Sequence, residues 1–174
     1  EKINIILSSI PNLAQDDVPI GSDEKSNKII KKSSEIKKFD FKIKSHTELS
    51  KNYMDFESAT KLSGSRFVTL KNQLSKLERS IANFMLDKHT EENGYIEYSV
   101  PFLVKEESLF GTGQLPKFGE DLFTAGDDHW LIPTAEVPLT NLVRNEILNI
   151  NQLPRRLTSY TPCFRSEAGA AGKD

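Results

Sequence analysis

Thr161-Pro162-Cys163-Phe164-Arg165-Ser166-Glu167 closes a run, 156–167, with the composition of a strand, and Ala168-Gly169-Ala170-Ala171-Gly172 follows as a flexible loop. Side chains alternate across a strand, so Arg165 and Glu167 project from one face. Cys163, Thr161 and Ser159 precede them on that face, and all three are small. Phe164, Pro162 and Tyr160 occupy the other face and suit a core. A strand that is bulky on one side, and small with a charged end on the other, makes a floor for a ligand. The arginine fork matches phosphate or carboxylate in a way lysine cannot. The glutamate can accept hydrogen bonds from an amino group such as that of adenine. The same spacing also allows a plain surface Arg–Glu pair, worth about 0–1 kcal/mol.

Upstream, 129–133 suits a short strand running into Thr134-Ala135-Glu136, and a helix is predicted over 136–146 with Pro138 in its first turn. If the triplet is extended, Thr134 and Glu136 share a side, and a hydroxyl with a carboxylate can hold an ammonium group. Capping is the competing role: Thr134 as N-cap, Glu136 at the positive helix end. Gly111-Thr112-Gly113-Gln114-Leu115-Pro116-Lys117-Phe118 is a loop. It is neither a P-loop nor a dinucleotide fingerprint, and a Gly pair of this kind often marks only a turn.

Further upstream, Leu70, Leu74, Leu77, Ile81 and Phe84 recur at three- and four-residue steps, which predicts an amphipathic helix over 69–90. Such a stripe packs a core or forms a dimer seam. Tyr95 to Val104 reads as a strand with Pro101 inside it, and that proline belongs at an edge, a bulge or an interface. Two short helices fit 47–53 and 55–62. Phe39-Asp40-Phe41-Lys42-Ile43 alternates and predicts a short strand with one buried face. Segment 11–38 is loop-like, and its lysines from Lys25 to Lys38 fit either an RNA-backbone patch or a solvated loop. Ile3, Ile6, Leu7 and Ile10 have helical spacing that Pro11 ends. Strands mixed with helices, without regular crossovers, favour an α+β domain around an antiparallel sheet.

Composition narrows the class. Hydrophobic residues make up 37% and charged residues 28% of 174 residues, an ordinary globular profile for one domain. A net charge of -2 argues against nucleic-acid binding by bulk charge but leaves room for a local basic patch. Cys163 is the one cysteine, so no intramolecular disulfide or cysteine-rich metal site can form, and a reducing compartment is favoured. His46, His89 and His129 lack metal-ligand spacing, and no Ser–His–Asp arrangement is present. No apolar run approaches the ~18 residues of a membrane span. The first residue is Glu1, so targeting cannot be read.

Ser9-Ile10-Pro11-Asn12-Leu13, Ser63-Gly64-Ser65-Arg66-Phe67, Gly111 to Phe118, Leu131 to Leu142, and Thr161 to Gly169 appear together in one order. In that order they resemble bacterial-type seryl-tRNA synthetase, a class II aminoacyl-tRNA synthetase, from about residue 7 to 174. The resemblance implies an antiparallel sheet flanked by helices, incomplete at its C-terminus, in a cytoplasmic homodimer without membrane contact. By it, 1–10 is a remnant of an N-terminal helical arm, 11–38 a linker, and 39–174 the front of the catalytic domain. The first class II motif falls at about 64–104 and the start of the second at about 157–174. Arg165 then contacts the ATP α-phosphate and the serine carboxylate, and Arg165, Ser166 and Glu167 together bind ATP. Thr134, Ala135 and Glu136 bind serine, with Glu136 near its ammonium. Serine is activated to seryl-adenylate with ATP and Mg2+, then passed to the tRNA 3' end, with no metal ligand supplied by this chain.

Some features depart from the family pattern. The coiled-coil arm, the returning strand of the second motif, and the third motif with its second arginine are absent, so the chain alone is expected to be inactive. Lys173 fits the basic position of the second motif's loop, and Ser50 stands where glycine is expected. Two other readings remain: an armless relative that loads an amino acid onto a carrier protein, and a non-catalytic dimerisation or binding module of the same fold.

Overall fold

The computed structural model describes residues 2–166. Glu167, the 168–172 loop and Lys173 lie outside the described residues. The chain divides into two compact units, one running to Leu49 and the other beginning at Ser50.

In the first unit, helix α1 (Lys2–Ser9) carries the helical spacing that Pro11 terminates, and it buries no residue. A short 3-10 turn spans Glu24–Ser26, and α2 covers His46–Leu49. The strand expected at 39–43 does not form. Phe39, Phe41 and Ile43 are all exposed, and among the described residues no neighbouring backbone pairs with them. Alternation supplies a face, but a strand also needs a partner for its N–H and C=O groups.

The second unit opens with β1 (Met54–Asp55), α3 (Phe56–Ser63) and β2 (Thr69–Leu70). The two strands pair antiparallel, Met54 opposite Leu70, and bracket the helix between them. Asp55 begins α3: its Oδ1 accepts the Ser58 N–H at 2.9 Å, satisfying one orphan donor of the first turn. Gly64, at φ +103°, ends it. Helix α4 (Asn72–Asp87) follows and passes into a π-helical turn, Lys88–Glu92. It is shorter than the predicted 69–90, because Thr69 and Leu70 are taken up by β2. Its stripe is not core: the helix buries no residue, and Leu77, Ile81, Phe84 and Met85 are exposed.

The predicted 95–104 strand is two strands in different sheets. β3 (Ile96–Glu97) lies before Pro101 and β4 (Leu103–Val104) after it. Proline has no N–H for a ladder, so the chain changes partners around it. With β5 (Thr124–Ala125) and β6 (His129–Leu131), β4 makes an antiparallel sheet in the order β4-β6-β5. Gly126, at φ +71°, opens the three-residue connection from β5 to β6. β3 instead pairs with β7 (Leu157–Thr158), and this pair is parallel, Ile96 opposite Leu157. The 156–167 run is thus a regular strand only at its start.

Helices α5 (Glu106–Gly111) and α6 (Glu136–Asn141) complete the unit, α6 ending earlier than the predicted 146. Leu109, Ile132 and Val137 are fully buried, and Val104 and Leu122 nearly so. Each such side chain contributes about 1.5–3 kcal/mol of gross stabilisation. Leu115, Trp130 and Phe164 pack against this cluster from its edge. The core therefore clamps both ends of the 132–137 connection and the start of the 164–166 segment, the two places where the sequence put its polar candidates.

Candidate functional site

Phe164 and Arg165 show how the core aims a polar group. The Phe164 N–H donates to the Ile132 carbonyl at 2.9 Å while its ring packs on the core. Backbone pairing and burial together fix the face on which the next residue stands. Arg165 consequently projects the other way and is exposed. Its Nε donates to the Pro133 carbonyl at 3.1 Å, which ties the guanidinium to the residue before Thr134. That bond uses one of five donors, and the fork of the two terminal nitrogens remains for a ligand.

The result is an open recess of about 260 Å³ lined by Gln114, Phe118, Asp121, Leu122, Pro133, Thr134 and Arg165. It brings together Arg165, Thr134 and the 111–118 loop, three features that are far apart in sequence. Ser166 anchors the same wall: its N–H donates to the Asp121 carbonyl at 3.0 Å, and its hydroxyl donates to the Glu120 carbonyl at 2.8 Å. Its hydroxyl proton is therefore already engaged, and its oxygen keeps only acceptor capacity. Glu167 lies outside the described residues.

The alternating faces of 159–165 are borne out only in part. Phe164 is inward and Arg165 outward, but Tyr160 and Pro162 are exposed rather than core. Cys163 is a free, exposed thiol. Ser159 is a different case, since its Oγ is buried with no hydrogen-bond partner among the described residues.

Thr134 and Glu136 are neighbours without sharing the recess. The Glu136 N–H reaches Thr134 Oγ1 only at a long 3.5 Å, and Thr134 makes no strong cap to α6. The Glu136 side chain is exposed and lines a separate recess of about 510 Å³ with Thr140, Arg155, Thr158 and Ser159 among its walls. The capping role weighed for this pair is thus weak, and so is a single rim made by both residues. Ala135 stands between them, half-buried.

The glycine pair is mostly structural. Gly113, at φ +79°, follows α5 with its N–H donating to the Phe110 carbonyl at 3.1 Å. The Gln114 N–H then reaches back to the Leu109 carbonyl at 3.0 Å, a left-handed helix ending that turns the chain toward the recess. At Gly111 a Cβ would come within 2.7 Å of Asn141 Oδ1, so a side chain there would have to displace the amide that donates to the Ser108 and Val137 carbonyls. Lys117 does not line the recess; its Nζ lies 5.4 Å from the Phe118 ring centroid. Gln114 belongs to the loop that the sequence singles out, whereas Asp121 and Leu122 are recess residues that no sequence pattern marks. Only the proximity of Asp121 and Leu122 to the loop signals them, because a turn residue's direction depends on contacts far along the chain.

Among the described residues no group of three His, Cys, Asp or Glu is placed to hold a metal ion. No helix there is long and apolar enough to cross a membrane.

Comparison with known proteins adds to this geometry. Residues 122–173 match the family described as tRNA synthetase class II core domain (G, H, P, S and T). The chain is 53% identical over 176 aligned positions to the serine–tRNA ligases of Brucella canis and Brucella melitensis biotype 2, covering 100% of this chain and 41% of each relative. It therefore spans about two fifths of the length of these curated relatives. The seryl-tRNA synthetase of Pyrococcus horikoshii, solved with ATP, superposes with a TM-score of 0.87 at 34% identity, over 99% of this chain and 44% of that one. The cytoplasmic serine–tRNA ligase of Naegleria fowleri, solved with AMP, gives 0.84 at 25% identity, over 99% and 42%.

Proposed function

We propose that this chain, which belongs to the seryl-tRNA synthetase family, forms the part of a serine–tRNA ligase where ATP and serine meet. The observation that carries the proposal is the shared recess of Arg165 and Thr134, in a chain alike throughout its length to serine–tRNA ligases. In this reading the Arg165 fork holds the α-phosphate and the serine carboxylate side by side. A serine carboxylate oxygen bonds to the α-phosphorus as the bond to the bridging oxygen breaks, leaving seryl-adenylate and pyrophosphate. The terminal ribose hydroxyl of tRNA then attacks the seryl carbonyl, and AMP departs. No side-chain nucleophile is required, and the rate comes from holding the reactants together and stabilising charge on the phosphate.

Thr134 lines the same recess as Arg165, which supports assigning it a hydrogen bond to serine. Ala135 and Glu136 are assigned to serine, and Ser166 and Glu167 to ATP, on the family resemblance; for Glu136 the geometry adds no support. Magnesium neutralises nucleotide phosphates when bound and would come with ATP, since it needs only one or two protein carboxylates besides the phosphates. The exposed apolar stripe of α4 supports a homodimer built on that helix. A cytoplasmic setting, where tRNA is charged, fits this activity.

Serine-dependent exchange of pyrophosphate into ATP, measured on the protein that carries this chain, tests the proposal. Arg165→Ala is expected to slow exchange by about 100-fold or more, and Arg165→Lys to restore little, because a point charge does not reproduce the fork. Near-normal exchange in the alanine variant would remove Arg165 from the reaction.

A further inference from the structure

Positive charge in this chain is concentrated in one place. Residues 25–44 hold eight lysines against two acids, Glu35 and Asp40, although the chain as a whole is at -2. Every residue of this segment is exposed. The ion pairs formed elsewhere, Lys71 with Asp55 and Lys88 with Glu92, involve none of these lysines. So dense a set of like charges repels itself unless counter-ions or an anionic partner neutralise it.

Two further observations indicate the partner. Phe39 and Phe41 stand among the lysines with ring centroids 5.1 Å apart, and they are 49% and 63% exposed. Lys37 Nζ lies 5.8 Å from the Phe39 ring centroid. Cations interleaved with open aromatic faces match a nucleic-acid strand, whose phosphates take the charge and whose bases stack on the rings. After the turn at Glu24–Ser26, residues 27–44 form neither helix nor strand, so the lysines are strung along an irregular chain. A membrane surface is the weaker match, because in-plane binding relies on an amphipathic helix and none is present here.

We propose that residues 25–44 are an RNA-contact segment whose lysines neutralise backbone phosphates while Phe39 and Phe41 stack on unpaired bases. This rests on the function proposed above in one respect, that the RNA is the tRNA being charged.

The test is a fluorescence-anisotropy titration of the protein against a labelled, unmodified tRNA transcript between about 50 and 200 mM salt. Combined Lys31→Gln, Lys32→Gln, Lys37→Gln and Lys38→Gln is expected to weaken binding about 10-fold or more. It should also reduce the slope of log affinity against log salt by roughly one for each phosphate the variant no longer neutralises. The same four positions changed to Arg should keep both affinity and slope. Phe39→Ala with Phe41→Ala should weaken binding while leaving the slope unchanged. Unaltered affinity and slope in the Gln variant would overturn the proposal. So would loss of binding to phosphatidylserine-containing vesicles with tRNA binding intact. Pyrophosphate exchange needs no RNA and should be normal in the Gln variant; its collapse alongside tRNA binding would assign these lysines to folding instead. If exchange is absent even from the unsubstituted protein while tRNA binding depends on the lysines, the synthetase reading fails and this one stands.

Discussion

Arg165 is legible in sequence because its neighbour is. Phe164 must bury its ring, so the next side chain must face outward, and an arginine there offers donors that a backbone carbonyl and a ligand can share. Thr134 follows the buried Pro133 and, half-buried itself, lines the same recess as Arg165. Thr134→Ala is expected to raise the serine KM about tenfold with the ATP KM little changed, as follows from losing one hydrogen bond worth roughly 1.4 kcal/mol; an unchanged serine KM would move serine elsewhere. Glu136 departs from its expected place, because an i, i+2 pair shares a side only in extended backbone, and α6 begins at Glu136 itself. Asp55 shows a cap that does form. Its carboxyl is held below its ordinary value of 3.8, chiefly because the Ser58 backbone N–H donates to it, then through the Ser58 side chain, with the Lys71 ammonium adding less. A depressed carboxyl stabilises the fold above its unfolded pKa, and the contribution is lost as pH falls through the folded one. Melting curves of the chain and of Asp55→Asn, whose neutral amide still caps, should therefore differ near neutrality and converge as pH drops below 3.8. A gap that ignores pH would mean the charge does not matter.

Elements follow the sequence well where one face is buried and poorly where pairing decides. α3 lies close to its expected bounds because capping is a local property, whereas α4 keeps the expected periodicity but gives up residues at both ends. The 39–43 segment has the alternation of a strand but no partner among the described residues, whereas His129–Leu131 has one on each side and becomes the centre of its sheet. Pro101 splits the single strand expected over 95–104, and which sheets it separates depends on residues far downstream. The α4 stripe illustrates the limit most plainly, since regular spacing looks the same whether it meets a core or a second chain. α5 is held on its inner side by one buried residue, Leu109. Leu109→Ala should destabilise the chain by about 2–5 kcal/mol, because the fully buried cluster cannot collapse into the space left behind. Urea unfolding measures this, and a loss under about 1 kcal/mol would show the cluster to be loosely packed.

At the scale of the molecule, the boundary at Leu49–Ser50 separates a unit with little regular structure from one built around a core. Brief digestion with a protease of broad specificity should cut first between residues 27 and 44, where exposed backbone lacks secondary structure. First cuts within 50–166 would contradict this difference in local stability. The parallel pairing of Ile96–Glu97 with Leu157–Thr158 also has a bearing on biosynthesis. About sixty residues separate the partners, and a ribosome adding about 5–20 residues each second leaves the first strand waiting several seconds for the second. Throughout that delay its backbone is open to any other extended polypeptide, so a chaperone that shields nascent chains would protect this part of the fold.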